Sequence, residues 1–166
     1  SIVKQKQSEV RRRTLVENIP GVSYTCAPNE QWTMYFISDE IDKLSGYPAK
    51  DFIGNRIRSF ASIMHPDDLQ NVVDIVSERV AQNKPYTLEY RIVHANGEIR
   101  WVFEKGQAVF DNDGQQISFD GVIVDITERK RLEGEILKRR AEFEAMFNSI
   151  TDAIVFSDQQ RRIVMV

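Results

Sequence analysis

Few residues in this chain have the type and spacing that chemistry requires. The two histidines, His65 and His94, stand far apart, and neither belongs to a His-x-Glu or Glu-x-x-His pair that would hold a metal. His65 precedes Pro66 at a helix start and reads as structural, while His94 sits at a strand end before a turn. The single cysteine, Cys26, excludes an internal disulfide and a cysteine zinc site, and fits a reducing compartment. Ser23 and Ser45-Gly46 lack an identifiable partner for nucleophilic work. Asp67-Asp68 would be a carboxylate pair, but adjacent helical positions point in different directions, so the two acids better suit the positive end of a helix dipole. The glycines are scattered singly and form no phosphate-cradling loop. No catalytic residues and no metal site are expected, and the chain reads as a regulatory domain rather than an enzyme.

Composition narrows the class further. The 166 residues are 42% hydrophobic and 28% charged, which is ordinary for a globular protein. A net charge of −3 argues against a nucleic-acid surface. The basic clusters Arg11-Arg12-Arg13 and Arg129-Lys130-Arg131 lie beside acids and read as solvated helix faces. No apolar run approaches the roughly 18 residues of a membrane span, and no signal peptide is visible. A cytoplasmic location without membrane contact by this segment is the expectation.

The elements that must position any site follow from periodicity and turn chemistry. Residues 1–18 read as a helix ended by Pro20-Gly21. Residues 22–26 and 32–37 are strand candidates around the turn Pro28-Asn29-Glu30. Residues 38–60 are broken by Gly46, Pro48 and Gly54 into short helices. A longer helix starts at Pro66, carries Leu69, Val72, Val73, Val76 and Val80 at helical spacing, and ends at Asn83-Lys84-Pro85. Three strands follow, 86–94, 98–110 and 115–126, joined by Asn96-Gly97 and by Asp113-Gly114. This order predicts an α+β domain with one antiparallel sheet and helices over one face.

Any function then belongs to the core. The side chains expected to line it are Tyr35, Val73, Val76, Tyr90, Ile92 and Trp101, with Phe103, Phe119, Gly121 and Ile123. Gly121 lies inside a strand, where a glycine often marks close approach to the backbone. A filled core and a mainly apolar ligand pocket both fit these residues.

One run links the sheet to a helix: Asp125-Ile126-Thr127-Glu128-Arg129-Lys130, where alternation gives way to interleaved acids and bases. This hexapeptide resembles the end of a PAS sensor domain with a PAC-type C-terminal motif. Leu44-Ser45-Gly46-Tyr47-Pro48, Asp51-Phe52-Ile53-Gly54-Asn55, His65-Pro66-Asp67-Asp68, Tyr90-Arg91-Ile92, Arg100-Trp101-Val102 and Asp120-Gly121 follow the family's order. The resemblance covers roughly residues 18–130. It implies a five-stranded antiparallel PAS fold with flanking helices, and a sensory module for a small ligand or redox state. A ligandless module for dimerisation or docking is the alternative. The resemblance also implies coupling through Asp125, Ile126 and Thr127, with Arg100 as a partner on the neighbouring strand.

Some family cofactors fit poorly. Light-sensing members carry a reactive cysteine on the short helices, where this chain reads Ile53-Gly54-Asn55-Arg56-Ile57-Arg58-Ser59-Phe60. Many haem-binding members offer a histidine on the long helix, and residues 69–80 contain none. Cysteinyl-flavin photochemistry and haem are disfavoured. Noncovalent flavin, with Trp32 and Trp101 as neighbours, stays open beside a small metabolite or no ligand.

Beyond residue 127, Leu132, Ile136, Phe143, Met146 and Ile150 recur at heptad-like spacing, with Arg139 in one seam position. This predicts a dimer helix and a homodimer. Asn18 to Tyr24 also lines up with Ser149 to Val155, as in a repeat. The expected domains are a flanking helix over 1–18, the PAS domain over 19–127, a signalling helix over 128–148, and the opening of a second PAS domain over 149–166. Strand-like runs at 153–156 and 162–166 would form its entry hairpin. The downstream effector, such as a bacterial histidine kinase or cyclic-dinucleotide enzyme, would lie elsewhere in the parent chain.

Overall fold

The computed structural model describes residues 2–7 and 20–164, and the side chains of residues 158–164 fall outside that description. Residues 2–7 are helical; the rest of the expected helix over 1–18, and the Asn18-Ile19 start of the repeat, lie outside the described residues. The chain divides into two compact units, Ser1–Thr127 and Glu128–Val166.

In the first unit, β1 (Val22–Cys26) and β2 (Met34–Ile37) form a hairpin, followed by the short helices α1 (Ile41–Ser45) and α2 (Ala49–Phe52), a 3-10 turn at Phe60–Ile63, and the long helix α3 (Pro66–Ala81). Then come β3 (Tyr86–Val93), β4 (Ile99–Phe110) and β5 (Gln116–Asp125). The five strands form one sheet in the order β2-β1-β5-β4-β3, and every neighbouring pair is antiparallel. The first and last strands of the domain therefore meet in the middle of the sheet, so β5 is held on both sides.

Helix α3 starts where the sequence places it. Pro66 occupies the first turn, and the His65 ring nitrogen Nδ1 accepts a hydrogen bond from the Asp67 amide at 3.3 Å. Asp68 then ties the helix to β3 by accepting from the Arg91 amide and Nε, each at 2.9 Å, and from Nη2 at 2.5 Å. Val72 and Val76 of α3 are buried, as are Leu88, Tyr90 and Ile92 on β3 and Val102 on β4. Phe52, Phe60, Ile63 and Met64 complete the same core.

The second unit is one helix, α4 (Thr127–Val164). The segment 153–156, expected as a strand, is helical, and among the described residues no strand forms beyond Asp125. The physical reason is local: among the described residues a strand here has no neighbour to hydrogen-bond, whereas a helix satisfies its backbone within itself. Residues 162–164 are helical too, and the last two residues of the expected run 162–166 lie outside the described residues. Arg131 bridges Glu128 at 2.6 Å and Glu135 at 2.5 Å along this helix, the (i, i+3) and (i, i+4) pairs its charge pattern allows.

Candidate functional site

The inner face of the sheet is not lined as expected along β4. Tyr90 pairs with Val102, Leu88 with Glu104 and Tyr86 with Gly106, so the inward positions of β4 are 102, 104 and 106. Trp101 and Phe103, both expected in the core, point to the opposite face and are half-buried. Tyr35 is also misplaced. Thr25 pairs with Phe36 and Cys26 with Met34, leaving Tyr35 as the extra residue of a bulge and 58% exposed. Val73 is half-buried beside the core residue Val72. Tyr90, Ile92, Phe119, Gly121, Ile123 and Val76 do share the inner side.

A polar cluster occupies the middle of that face. The Glu104 carboxylate is only 7% exposed. The Tyr24 hydroxyl donates to its Oε1, and the Tyr90 hydroxyl donates to Oε2 at 2.6 Å. With its own proton directed at Glu104, Tyr24 accepts from the Tyr86 hydroxyl at 2.9 Å. Three phenols from two strands, Tyr24 on β1 and Tyr86 and Tyr90 on β3, thus converge, directly or in relay, on one acid.

Two glycines make this geometry fit. Gly106 and Gly121 are register partners across β4 and β5. A Cβ on Gly106 would lie 2.4 Å from the Tyr86 ring, and one on Gly121 would lie 2.5 Å from the Tyr24 hydroxyl oxygen. The close approach marked by Gly121 is therefore that of a side chain of the same domain. Tyr24 lies over Gly121, its partner on the neighbouring strand, and Tyr86 over Gly106.

Burial dominates the electrostatics. Desolvation raises the Glu104 pKa above the ordinary glutamate value, and the two phenol hydrogen bonds pull it partly back. Burial and the Glu104 charge push the Tyr24, Tyr86 and Tyr90 hydroxyls upward, so the phenols stay protonated donors. Burial likewise raises the Cys26 thiol to about 12, which leaves it a neutral wall residue rather than a nucleophile.

Beside the cluster lies a cavity. Its aromatic walls are Tyr24, Trp32, Phe60 and Tyr86, its sulfur-bearing walls Cys26, Met34 and Met64, and its aliphatic walls Val72, Val76 and Ile123. Glu104 is its one charged group among the described residues. As packed, it has room for about one or two water molecules. That space does not fit a flavin ring system, and of the two tryptophans considered as flavin neighbours only Trp32 reaches it. Among the described residues, no group of three or more His, Cys, Asp or Glu side chains could hold a metal ion.

The second candidate region is the exit of β5. Asp125 Oδ1 accepts from the Thr127 amide at 2.8 Å, and Arg100 Nη1 donates to Asp125 Oδ2 at 3.2 Å. The Thr127 hydroxyl oxygen accepts from the Trp101 amide at 3.0 Å, and the Ile126 amide donates to the Trp101 carbonyl at 2.9 Å. Arg100, Asp125, Ile126 and Thr127 thus form one clasp between β4 and the first residue of α4. Desolvation works against the Asp125 charge, but the bonds from Thr127 and Arg100 outweigh it and hold the carboxyl below the ordinary aspartate range.

On α4, Leu132, Ile136, Phe143 and Met146 are all exposed within the chain, as is Ile150. No helix among the described residues is long and apolar enough to cross a membrane.

A five-stranded antiparallel sheet whose first and last strands pair centrally, with helices enclosing a small core cavity, is the architecture of a sensory domain fold. The family model described as PAS fold matches residues 34–123, more than half of the chain. The chain belongs to the PAS-fold family. It is 37% identical over 109 residues to a methyl sulfide methyltransferase-associated sensor of Methanosarcina acetivorans, covering 65% of this chain and 11% of that protein. It is 25% identical over 101 residues to a probable diguanylate cyclase, DgcE, of Escherichia coli, covering 61% of this chain and 9% of that protein. Among solved structures, a sensory box histidine kinase/response regulator from Burkholderia thailandensis superposes with a TM-score of 0.64 at 25% identity, covering 81% of this chain and 98% of that one. The chain thus spans about a tenth of the two curated relatives.

Proposed function

We propose that this chain is a sensory module that converts a change in its core into a change at the start of α4. The observation that carries this reading is the clasp. The central strand β5 passes from the inner-face position Ile123 to Asp125 and into α4 with no intervening loop, and β4 grips that exit through Arg100 and Trp101. A shift in the register or twist of β4 against β5 would alter the bonds that start the helix. The signalling proteins among the relatives support this role, and histidine kinase or diguanylate cyclase output is the kind of effector they suggest. In that arrangement the domain itself is regulatory and the catalysis lies in another part of the parent protein.

The exposed apolar positions of α4 support dimerisation. Leu132, Ile136, Phe143 and Met146 would form the seam of a parallel homodimer. Replacing Ile136 and Phe143 together by Glu is expected to convert a dimer to a monomer in analytical ultracentrifugation. An unchanged sedimentation coefficient would remove this seam from the account.

The sensory reading is tested by Asp125→Ala in the full-length parent protein. The expected result is a folded protein whose effector output no longer responds to the stimulus. Normal regulated output from that variant would refute the clasp as the route.

A further inference from the structure

Glu104 is a buried acid without a counter-charge. Among the described residues it has no salt-bridge partner, and the groups lining the adjoining cavity include no Lys, Arg or His. Its neighbours are phenols, thioethers and a thiol. A carboxylate has acceptor capacity for about four hydrogen bonds, and Tyr24 and Tyr90 use two. The remaining lone pairs and the whole negative charge are available beside a cavity whose other walls are apolar or aromatic.

A buried charge of this kind is costly unless something compensates it. Within the domain the two phenol hydrogen bonds offset that cost only in part, and the described residues offer no basic side chain at this place. The walls are chemically suited to a cation from outside. The faces of Tyr24, Trp32, Tyr86 and Phe60 carry the negative quadrupole that attracts positive charge, and the Met34 and Met64 sulfurs are polarisable. The space limits the guest to about one or two heavy atoms.

We infer that the cavity floored by Glu104 is a binding site for a small ammonium-type cation, of the size of ammonium or methylammonium. The ammonium hydrogens donate to the free lone pairs of Glu104, and its charge rests against the aromatic walls. This identifies the ligand class for the sensory reading above and rests on that reading only for its consequence, not for the binding itself. A proton competes with the cation for the same carboxylate, so occupancy falls as the solution becomes more acidic.

The test is a titration of the 166-residue chain with methylammonium chloride, followed by calorimetry and by tryptophan fluorescence. Trp32 reports from the cavity and Trp101 from the opposite sheet face. Methanol serves as the neutral guest of matching size, and sodium chloride at equal ionic strength controls for screening. The expected result is saturable binding of methylammonium, at least about tenfold tighter than methanol, because the charge-assisted bond and the cation–π contacts are absent for the alcohol. In Glu104→Gln that preference is lost. Methylammonium binding no tighter than methanol, or an unaltered preference in a folded Glu104→Gln protein, overturns the proposal. If Glu104→Gln does not fold, the wild-type pH series decides. Affinity that weakens toward acid supports the site, and a profile that stays flat down to the ordinary glutamate value of 4.5 overturns it. Binding without any change at the Ile126 and Thr127 amides would leave the site standing and refute the sensory coupling. A core substitution that moves those amides in a chain that binds no cation would do the reverse.

Discussion

Two carboxylates on adjacent central strands, Glu104 on β4 and Asp125 at the end of β5, are displaced in opposite directions. Glu104 is enclosed, meets only neutral phenols, and its pKa is raised, chiefly by desolvation. Asp125 is partly open to solvent and meets Arg100 and the helix-starting Thr127. Despite the opposing desolvation, its pKa is lowered. The same functional group thus takes up its proton more readily than usual in one place and less readily in the other. On the proposed reading, the difference separates the tasks. An acid whose charge is costly responds to whatever neutralises it, and an acid whose charge is secured makes a dependable clasp.

The Glu104 cluster is disrupted most severely by filling the space that seats the phenols. Gly106→Val places its Cβ within 2.4 Å of the Tyr86 ring, and the cluster cannot keep its geometry. Urea denaturation should show a loss of about 3 kcal/mol or more, the upper end of overpacking costs. A variant of wild-type stability would mean that Tyr86 does not occupy this seat.

The pH dependence sharpens the contrast. Glu104 binds its proton more tightly folded than unfolded, so its burial costs nothing below the ordinary value of 4.5. The cost grows as pH rises from there toward the raised folded-state pKa. Melting temperatures of wild type relative to Glu104→Gln should therefore fall over that interval. Asp125 has the opposite sign. Its contribution is present above the ordinary value of 3.8 and is lost as pH falls through the lowered folded-state pKa. A difference between wild type and Glu104→Gln that is constant with pH would remove Glu104 from the titrating groups.

The smallest effect on stability belongs to Asp125→Ala. Loss of one accepted amide bond and one solvent-facing ion pair should cost about 0.5–1 kcal/mol in the same denaturation experiment. A much larger loss would make Asp125 a folding element and weaken its assignment to signalling.

The sheet, the long helix and the β5 exit were legible in the sequence because each carries a local signal. Alternation marks Tyr90-Ile92 and Phe119-Gly121-Ile123, Pro66 starts α3, and Asn96-Gly97 turns β3 into β4. The inner face of β4 was not legible. Its outward positions hold the bulky Trp101 and Phe103, whereas its inward positions include a charged Glu104 and a bare Gly106. Apolar periodicity therefore points to the wrong face. The available signal was indirect: two glycines, Gly106 and Gly121, which antiparallel pairing of β4 and β5 can bring into register, and three tyrosines on strands that can lie beside them. Tyr35 was hidden by a bulge, which shifts alternation by one residue and leaves no composition trace. The run at 153–156 shows the converse. Its β-prone composition does not act where the described residues provide no partner strand.

The proposed route carries the core state to the first residues of α4 through the β4–β5 clasp. It is tested most directly by amide hydrogen exchange at Ile126 and Thr127, whose N–H groups bond the Trp101 carbonyl and the Asp125 carboxylate. Wild type and Glu104→Gln are compared, with global stability corrected from the slowest-exchanging amides. The account predicts a change in protection at Ile126 and Thr127 beyond that correction. Changes confined to the strands around residue 104, with Ile126 and Thr127 unmoved, would contradict it.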